Sequence, residues 1–190
     1  MRRARVKVDI DNCLNDLVFE MFKLYEERTG IRLEYANCVN YDFSGIGSQD
    51  VIDDLYEMFA DKELWDRLSP TVNAQRYLKK LCADFDVKVV TATDHRNFAW
   101  KVEWMQKFYP FVPAENIYRV HDKSWITTDY AIDDYPENLK DDMAHRILIS
   151  APWNQDAHCY VFEFHRVADI KGAYEKICEI ESAEGAGYSI

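Results

Sequence analysis

The sequence predicts an α/β protein, a doubly wound parallel sheet with a small helical cap inserted after the first strand. Three observations lead there. Short β-rich runs alternate with amphipathic helical stretches. About 75 residues separate the first run from the second, far more than a βαβ crossover needs. Three of the runs end in Asp, Thr or paired Asp, the polar endings expected where parallel strands deliver side chains to one rim.

In chain order, Val6, Val8 and Ile10 alternate with Arg5, Lys7 and Asp9, the period of a strand. Leu14, Leu17, Val18, Met21, Phe22 and Tyr25 then recur at helical spacing, with Gly30 as the stop. Helix and loop follow, Tyr35 to Gly47 among them, and a second helical stripe of Val51, Ile52, Leu55, Met58 and Phe59 starts after Ser48 as its cap. Tyr77, Leu78, Leu81 and Cys82 make a third stripe. Val87 to Val90 is the second strand. Trp100, Trp104, Met105 and Phe108 form a helix ended by Pro110. Trp125 to Ile132 reads as a less regular third strand, Ile147 to Ile149 as a fourth and Tyr160 to Phe164 as a fifth. Val167, Ile170, Tyr174, Ile177 and Cys178 make the last helix. The expected division is residues 1–14 and 71–183 as the α/β core, 15–70 as the cap, and 184–190, with Gly185 and Gly187, as a frayed tail.

Composition bounds the function. At 190 residues, with 48% hydrophobic and 30% charged residues, the chain suits one globular domain with a modest insertion and is not a disordered chain. No run approaches the roughly 20 apolar residues of a membrane span, so no membrane partner is expected. Charges after Met1-Arg2-Arg3 argue against a signal peptide. The net charge of −11 repels a polyphosphate backbone, and no basic run offsets it, which argues against a nucleic-acid polymer as partner. A small phosphorylated substrate stays open, because a bound cation reverses the local field. The five cysteines are odd in number and none are spaced two apart as a zinc or redox pair. They read as free thiols of a reducing compartment, hence a cytoplasmic protein. The oligomeric state is left open, a homodimer included.

The strand endings carry the chemistry. Asp9-Ile10-Asp11, Thr91-Ala92-Thr93-Asp94 and Asp133-Asp134 would meet at the carboxyl edge of a parallel sheet. Four carboxylates in one place repel one another unless a cation sits among them. Hard oxygen donors that share a substrate phosphate suit Mg2+.

These residues, in this order and with Lys123 ten positions before Asp133, resemble the four ordered motifs of the haloacid-dehalogenase-like hydrolases. Within that superfamily the chain is similar to the 5′(3′)-deoxyribonucleotidases. The closer signals are Leu64-Trp65-Asp66-Arg67-Leu68-Ser69-Pro70, Asp122-Lys123, Asp129-Tyr130-Ala131-Ile132-Asp133-Asp134 and Ile149-Ser150-Ala151-Pro152-Trp153-Asn154-Gln155. The resemblance covers roughly Val6 to Ile180. It implies Asp9 as the nucleophile that forms an aspartyl-phosphate and Asp11 as general acid and base. It implies Thr91 and the backbone N–H of Ala92 as phosphate binders, and Lys123 as the cation that offsets Asp9 and the phosphoryl group. Magnesium would be held by Asp9, the Asp11 carbonyl, and Asp133 or Asp134. Two departures stand out: Asn12 where relatives commonly have Gly or Glu, and Leu17 where they often have a base-stacking aromatic.

Each residue also has a plainer reading. An isolated Asp-x-Asp is as often a solvated loop pair, Thr91 a strand-end hydroxyl bonded to backbone, Lys123 a surface lysine, and Asp133-Asp134 a helix cap. Tyr41, Phe43 and Trp65 in the cap either stack on a base or form the cap's core. Cys13 reads as a small packed residue, Asp129 as structural. The expected activity is hydrolysis of deoxynucleoside monophosphates. The alternatives are a phosphatase for another small phosphate ester and a catalytically silent domain that binds a nucleotide or a protein.

Overall fold

The computed structural model describes residues 2–140, 145–156 and 164–187. Among them six strands form one parallel sheet: β1 (Arg5–Val8), β2 (Asp86–Ala92), β3 (Ile117–Val120), β4 (Tyr130–Asp133), β5 (His145–Ile149) and β6 (His165–Val167), in the order β3-β2-β1-β4-β5-β6. The order reverses direction between β1 and β4, which is the switch point of a doubly wound sheet and the place where such sheets bind ligands. The expected fold class is therefore present. It sets Thr91 on β2, Asp9 after β1 and Asp133 on β4 side by side.

Strand β1 is covered on both faces. Val6 and Val8 have no exposed surface, and Lys7 between them is 3% exposed. A buried ammonium must be satisfied, and Lys7 Nζ donates to the carbonyls of Lys123 at 2.8 Å and Ile126 at 3.1 Å. It thereby ties the turn after β3 to the central strand.

The long insertion leaves and returns through one neck. Asn15 and Pro70 form an isolated antiparallel bridge, and Thr71 N–H donates to the Leu14 carbonyl at 3.0 Å. Between these points lie α1 (Leu17–Thr29), a 3₁₀ turn at Tyr35–Asn37, α2 (Gln49–Met58) and α3 (Lys62–Arg67). Helix α1 buries Leu17, Val18, Met21, Phe22, Leu24 and Tyr25, and it stops where Gly30, at φ 74°, returns its N–H to the Glu26 carbonyl. Left-handed backbone is inexpensive only for glycine. Ser48 occupies the cap position of α2, but its side chain makes no capping bond. Among the described residues four further α-helices follow: α4 (Ala74–Asp84), α5 (His95–Phe108), α6 (Glu137–Lys140) and α7 (Ile170–Gly187).

Several expectations need correction. The third expected strand, Trp125 to Ile132, is strand only from Tyr130. Asp122 accepts the Ser124 N–H at 2.8 Å and winds Lys123–Trp125 into a 3₁₀ turn that leaves Trp125 72% exposed. Strand β3 was not foreseen, because at the sheet edge only Ile117 of its four residues is buried and no alternation shows. The expected strand Tyr160–Phe164 lies outside the described residues except for Phe164. Strand β6 begins at His165, directly after the expected strand's last residue, and takes Val167, which the helical stripe had claimed. Helix α7 continues to Gly187, so Glu184 to Gly187 of the expected tail are helical, and 188–190 lie outside the described residues.

Candidate active site

After β1 the chain turns sharply. Asn12 has φ 54°, a left-handed conformation that Asn tolerates better than most residues and Gly best. Its side chain then works for the turn: Oδ1 accepts the Val18 N–H at 3.1 Å, at the start of α1, and Nδ2 lies 3.4 Å from Asp134 Oδ2. Asn15 Oδ1 accepts from the N–H groups of Asn12 and Leu17 at 3.1 and 3.2 Å. These local bonds fix the loop that carries Asp9 and Asp11 over the edge of β1, while Asp9 N–H donates to Ile132 of β4 at 3.0 Å.

The predicted residues come together. Lys123 Nζ is 2.8 Å from Asp9 Oδ1 and 2.7 Å from Asp133 Oδ2, and all three side chains are less than 9% exposed. Burial opposes the charge on Lys123, but Asp133 and Asp9 outweigh it and hold the ammonium above its ordinary range. Asp133 Oδ1 also accepts from Tyr135 N–H at 3.0 Å and from Asn138 Nδ2 at 3.1 Å. Burial raises its carboxyl, and Lys123 pulls the other way.

Asp134 has different company. Its Oδ2 accepts from Trp153 Nε1 at 3.1 Å, and its backbone carbonyl accepts from Asn154 Nδ2 at 2.7 Å. Asn154 also bonds the Ile149 carbonyl at 2.7 Å, so the Ser150 to Gln155 segment after β5 serves as the clamp on Asp134. Burial, then the charges of Asp133 and Asp9, push the Asp134 carboxyl well above its ordinary range. Ligand atoms of Asp9, Cys13 and Asp134 lie within 4.8 Å of one another. Cys13 is buried as expected, and burial with Asp134 beside it raises its thiol well above normal.

Thr91 is 1% exposed near the end of β2, and the next residue, Ala92, is exposed at the rim. Asp94 caps α5 by accepting the Arg96 N–H at 2.8 Å.

One residue of the site was not singled out from sequence. Lys101 of α5 is 1% exposed. Its Nζ pairs with Asp11 Oδ2 and donates to Thr91 Oγ1 at 2.7 Å. Burial raises the Asp11 carboxyl, Lys101 lowers it and Asp9 raises it. A lone lysine inside the Trp100 to Phe108 stripe carries no motif, but its position on the buried face of an amphipathic helix was the available signal.

The aromatic residues divide. Tyr41 and Phe43 line a cleft beside Asp11, together with Leu17, Val18, Tyr56, Phe59 and Trp153. Tyr41 stacks on Tyr135 at 3.7 Å between ring centroids and meets Trp153 edge-on at 6.3 Å. Phe43 is 3% exposed and packs on Phe22, Tyr56 and Phe59. Trp65 is not among the lining residues of that cleft. It is 3% exposed, donates to the Phe59 carbonyl at 3.1 Å, and lies under the Lys101 ammonium at 5.4 Å.

A divalent cation fits this rim. The carboxylates of Asp9, Asp11, Asp133 and Asp134 face the two ammonium groups of Lys101 and Lys123, leaving an excess of negative charge when all are ionised. Asp11 Oδ1 is buried without a hydrogen-bond partner among the described residues.

The sheet order is that of the haloacid-dehalogenase-like fold. Solved structures share the fold: a haloacid dehalogenase-like family hydrolase from Streptococcus pneumoniae (TM-score 0.63, 11% identity, covering 92% of this chain and 98% of that one) and a hydrolase from Pseudomonas syringae (0.59, 13%, 94% and 99%). Residues 3–182 match the family model described as 5′ nucleotidase, deoxy (Pyrimidine), cytosolic type C protein. The chain belongs to that family, and its class of activity is phosphoric monoester hydrolysis of the 5′-nucleotidase type. Relatives include the 5′(3′)-deoxyribonucleotidase of Clostridium acetobutylicum, 26% identical over 161 residues (85% of this chain, 89% of that one), and that of Bacillus subtilis, 33% identical over 103 residues (53% and 60%). No helix among the described residues is long and apolar enough to cross a membrane.

Proposed function

We propose that the protein is a magnesium-dependent 5′(3′)-deoxyribonucleotidase that hydrolyses deoxynucleoside monophosphates through an aspartyl-phosphate on Asp9. The observation that carries this is the triple Asp9–Lys123–Asp133, buried at the switch point of the sheet with contacts of 2.8 and 2.7 Å. The ammonium holds the Asp9 carboxylate in place at the rim, where it can attack phosphorus. Asp9 forms the bond to phosphorus as the ester P–O bond breaks. Asp11 donates a proton to the departing oxygen and later takes one from the water that releases phosphate. Thr91 and the backbone N–H of Ala92 bind phosphate oxygens, and Lys123 offsets the charge that builds on them.

Asp9, the Asp11 carbonyl and Asp134 would hold Mg2+, which supplies charge neutralisation at the phosphoryl oxygens. The grouping of Asp9 with Asp134 supports Asp134 as the ligand of the pair, because Asp133 is already committed to Lys123 and Asn138. Residues 15–70 act as a helical cap over this rim. The Tyr41–Tyr135 stack joins it to the core, and the apolar cleft beside Asp11 receives the nucleoside. Leu17 in that cleft is 1% exposed and offers no ring face, which supports modest discrimination among bases. The free thiols and the family's description support a cytoplasmic site of action. The test is a hydrolysis screen with Mg2+ over deoxynucleoside, ribonucleoside and sugar phosphates. Deoxynucleoside monophosphates should be turned over fastest, and a preference for a sugar phosphate would assign another small ester.

A further inference from the structure

Lys101 is the second buried cation of the site, and the phosphoryl-transfer reading gives it no task. Its side chain is 2% exposed, against 20% for Asp11. A lysine is buried this fully only when its charge and its donors are satisfied. Three features satisfy it: Asp11 Oδ2, Thr91 Oγ1 at 2.7 Å, and the face of Trp65, 5.4 Å away. The ammonium thus stands on a rigid base made from β2, α3 and α5. The two oxygens of Asp11 are not equivalent. Oδ2 is taken by Lys101, while Oδ1 is buried and accepts no hydrogen bond from the described residues.

We infer that Lys101 is a positioning residue for the general acid: by occupying Oδ2 it fixes the rotation of the Asp11 carboxyl and confines the transferable proton to Oδ1. This rests on the aspartyl-phosphate reading above. In the first half-reaction Asp9 bonds to phosphorus, the P–O ester bond breaks, and the proton on Asp11 Oδ1 passes to the departing alkoxide. The gain is orientational. A carboxyl free to rotate offers the wrong oxygen part of the time, and misplacement by about 1 Å can lower a rate by about 100-fold. Trp65, expected either to stack on a base or to pack the cap's core, takes a place in this arrangement as the surface that seats the ammonium.

The experiment compares kcat/KM for a deoxynucleoside monophosphate and for p-nitrophenyl phosphate. This ratio reports steps up to loss of the leaving group, and p-nitrophenolate departs without a proton while a nucleoside alkoxide does not. Lys101→Met keeps the length of the side chain and its apolar contact with Trp65. It should lower kcat/KM for the nucleotide by about 100-fold and for the aryl ester by less than about 5-fold. In an Asp11→Asn background the same substitution should change nucleotide turnover by less than about 3-fold, because a residue acting through Asp11 has nothing left to position. If the Met variant does not fold, Lys101→Gln, which retains a donor without the charge, should show the same inequality in weaker form. An equal fall for both substrates, or an undiminished effect beside Asp11→Asn, would overturn this inference alone. Failure of the unaltered protein to hydrolyse either ester would overturn the phosphatase reading and this inference with it.

Discussion

Lys123 donates to Asp133 at 2.7 Å, and the pair is sealed: their side chains are 4% and 3% exposed. The same ammonium faces Asp9 at 2.8 Å. It is therefore a structural cation before it is a chemical one. Removing one partner of a buried ion pair costs about 3–5 kcal/mol, since the other charge is left without compensation. Lys123→Met should lower the stability of the metal-free protein by roughly that amount, read by urea unfolding. Added Mg2+ should restore part of the loss through Asp9. A metal-free variant as stable as the parent would show that the two carboxylates are not charged together.

The paired aspartates should separate by metal response. A Mg2+ concentration 100 times Kd stabilises a folded protein by about 2.7 kcal/mol. Asp133→Asn should keep most of that shift in thermal unfolding, and Asp134→Asn should lose most of it. Equal losses would contradict the assignment of Asp134.

A pH series adds a sign. The Asp134 carboxyl is raised in the folded state above its ordinary value of 3.8, so the native form binds the proton more tightly than the unfolded form. Stability from this group is present below pH 3.8 and is lost as pH rises towards the folded value. Without metal, Asp134→Asn should thus gain on the parent as pH climbs from about 4, and Mg2+ should reverse the gain.

Much of this site was legible in the sequence, because Asp9, Asp11, Thr91, Lys123, Asp133 and Asp134 each follow a strand or sit at a fixed offset from one. The central strands were legible too: Val6, Val8 and Ile10 alternate with Arg5, Lys7 and Asp9, and Val87 to Val90 is a Val-rich run broken only by Lys88. The edges were not. Ile117–Val120 buries one residue, and His165–Val167 is half-buried throughout, so neither shows a period. Lys101 escaped because its partners, Asp11 and Thr91, are 90 and 10 residues away. Only the packing of α5 against β2 and the first loop reveals that a lysine in an apolar stripe is held by a carboxylate and a hydroxyl.

The two cap aromatics should respond differently to truncation. Tyr41, 47% exposed and stacked on Tyr135 at 3.7 Å, contributes about 0.5–1.5 kcal/mol through that ring pair beyond its area. Tyr41→Ala should raise KM for a deoxynucleotide several-fold with little change for p-nitrophenyl phosphate. Trp65→Ala should instead destabilise the fold by about 3–5 kcal/mol, the range for a buried large aromatic, visible as an earlier unfolding midpoint.

Thiol labelling should report on the interior of the site. Cys13 is 2% exposed, and burial beside Asp134 and Asp9 keeps its thiol protonated. The thiolate is the reactive form. In the folded protein at neutral pH, iodoacetamide should label Cys82 and Cys178, both partly exposed, well before Cys13. Mass spectrometry of the digested protein reads the order directly. Early modification of Cys13 would mean that the loop after Asp11 opens.

The central claim is that Asp9 becomes phosphorylated. It is tested most directly by mixing the protein and Mg2+ with a 32P-labelled deoxynucleoside monophosphate, quenching in acid within the first turnover, and mapping the label on peptides. Label on the peptide that contains Asp9, sensitive to hydroxylamine and missing from Asp9→Asn, is the predicted result. Hydrolysis of the nucleotide at full rate by a folded Asp9→Asn protein, with no labelled peptide in the parent, would contradict it.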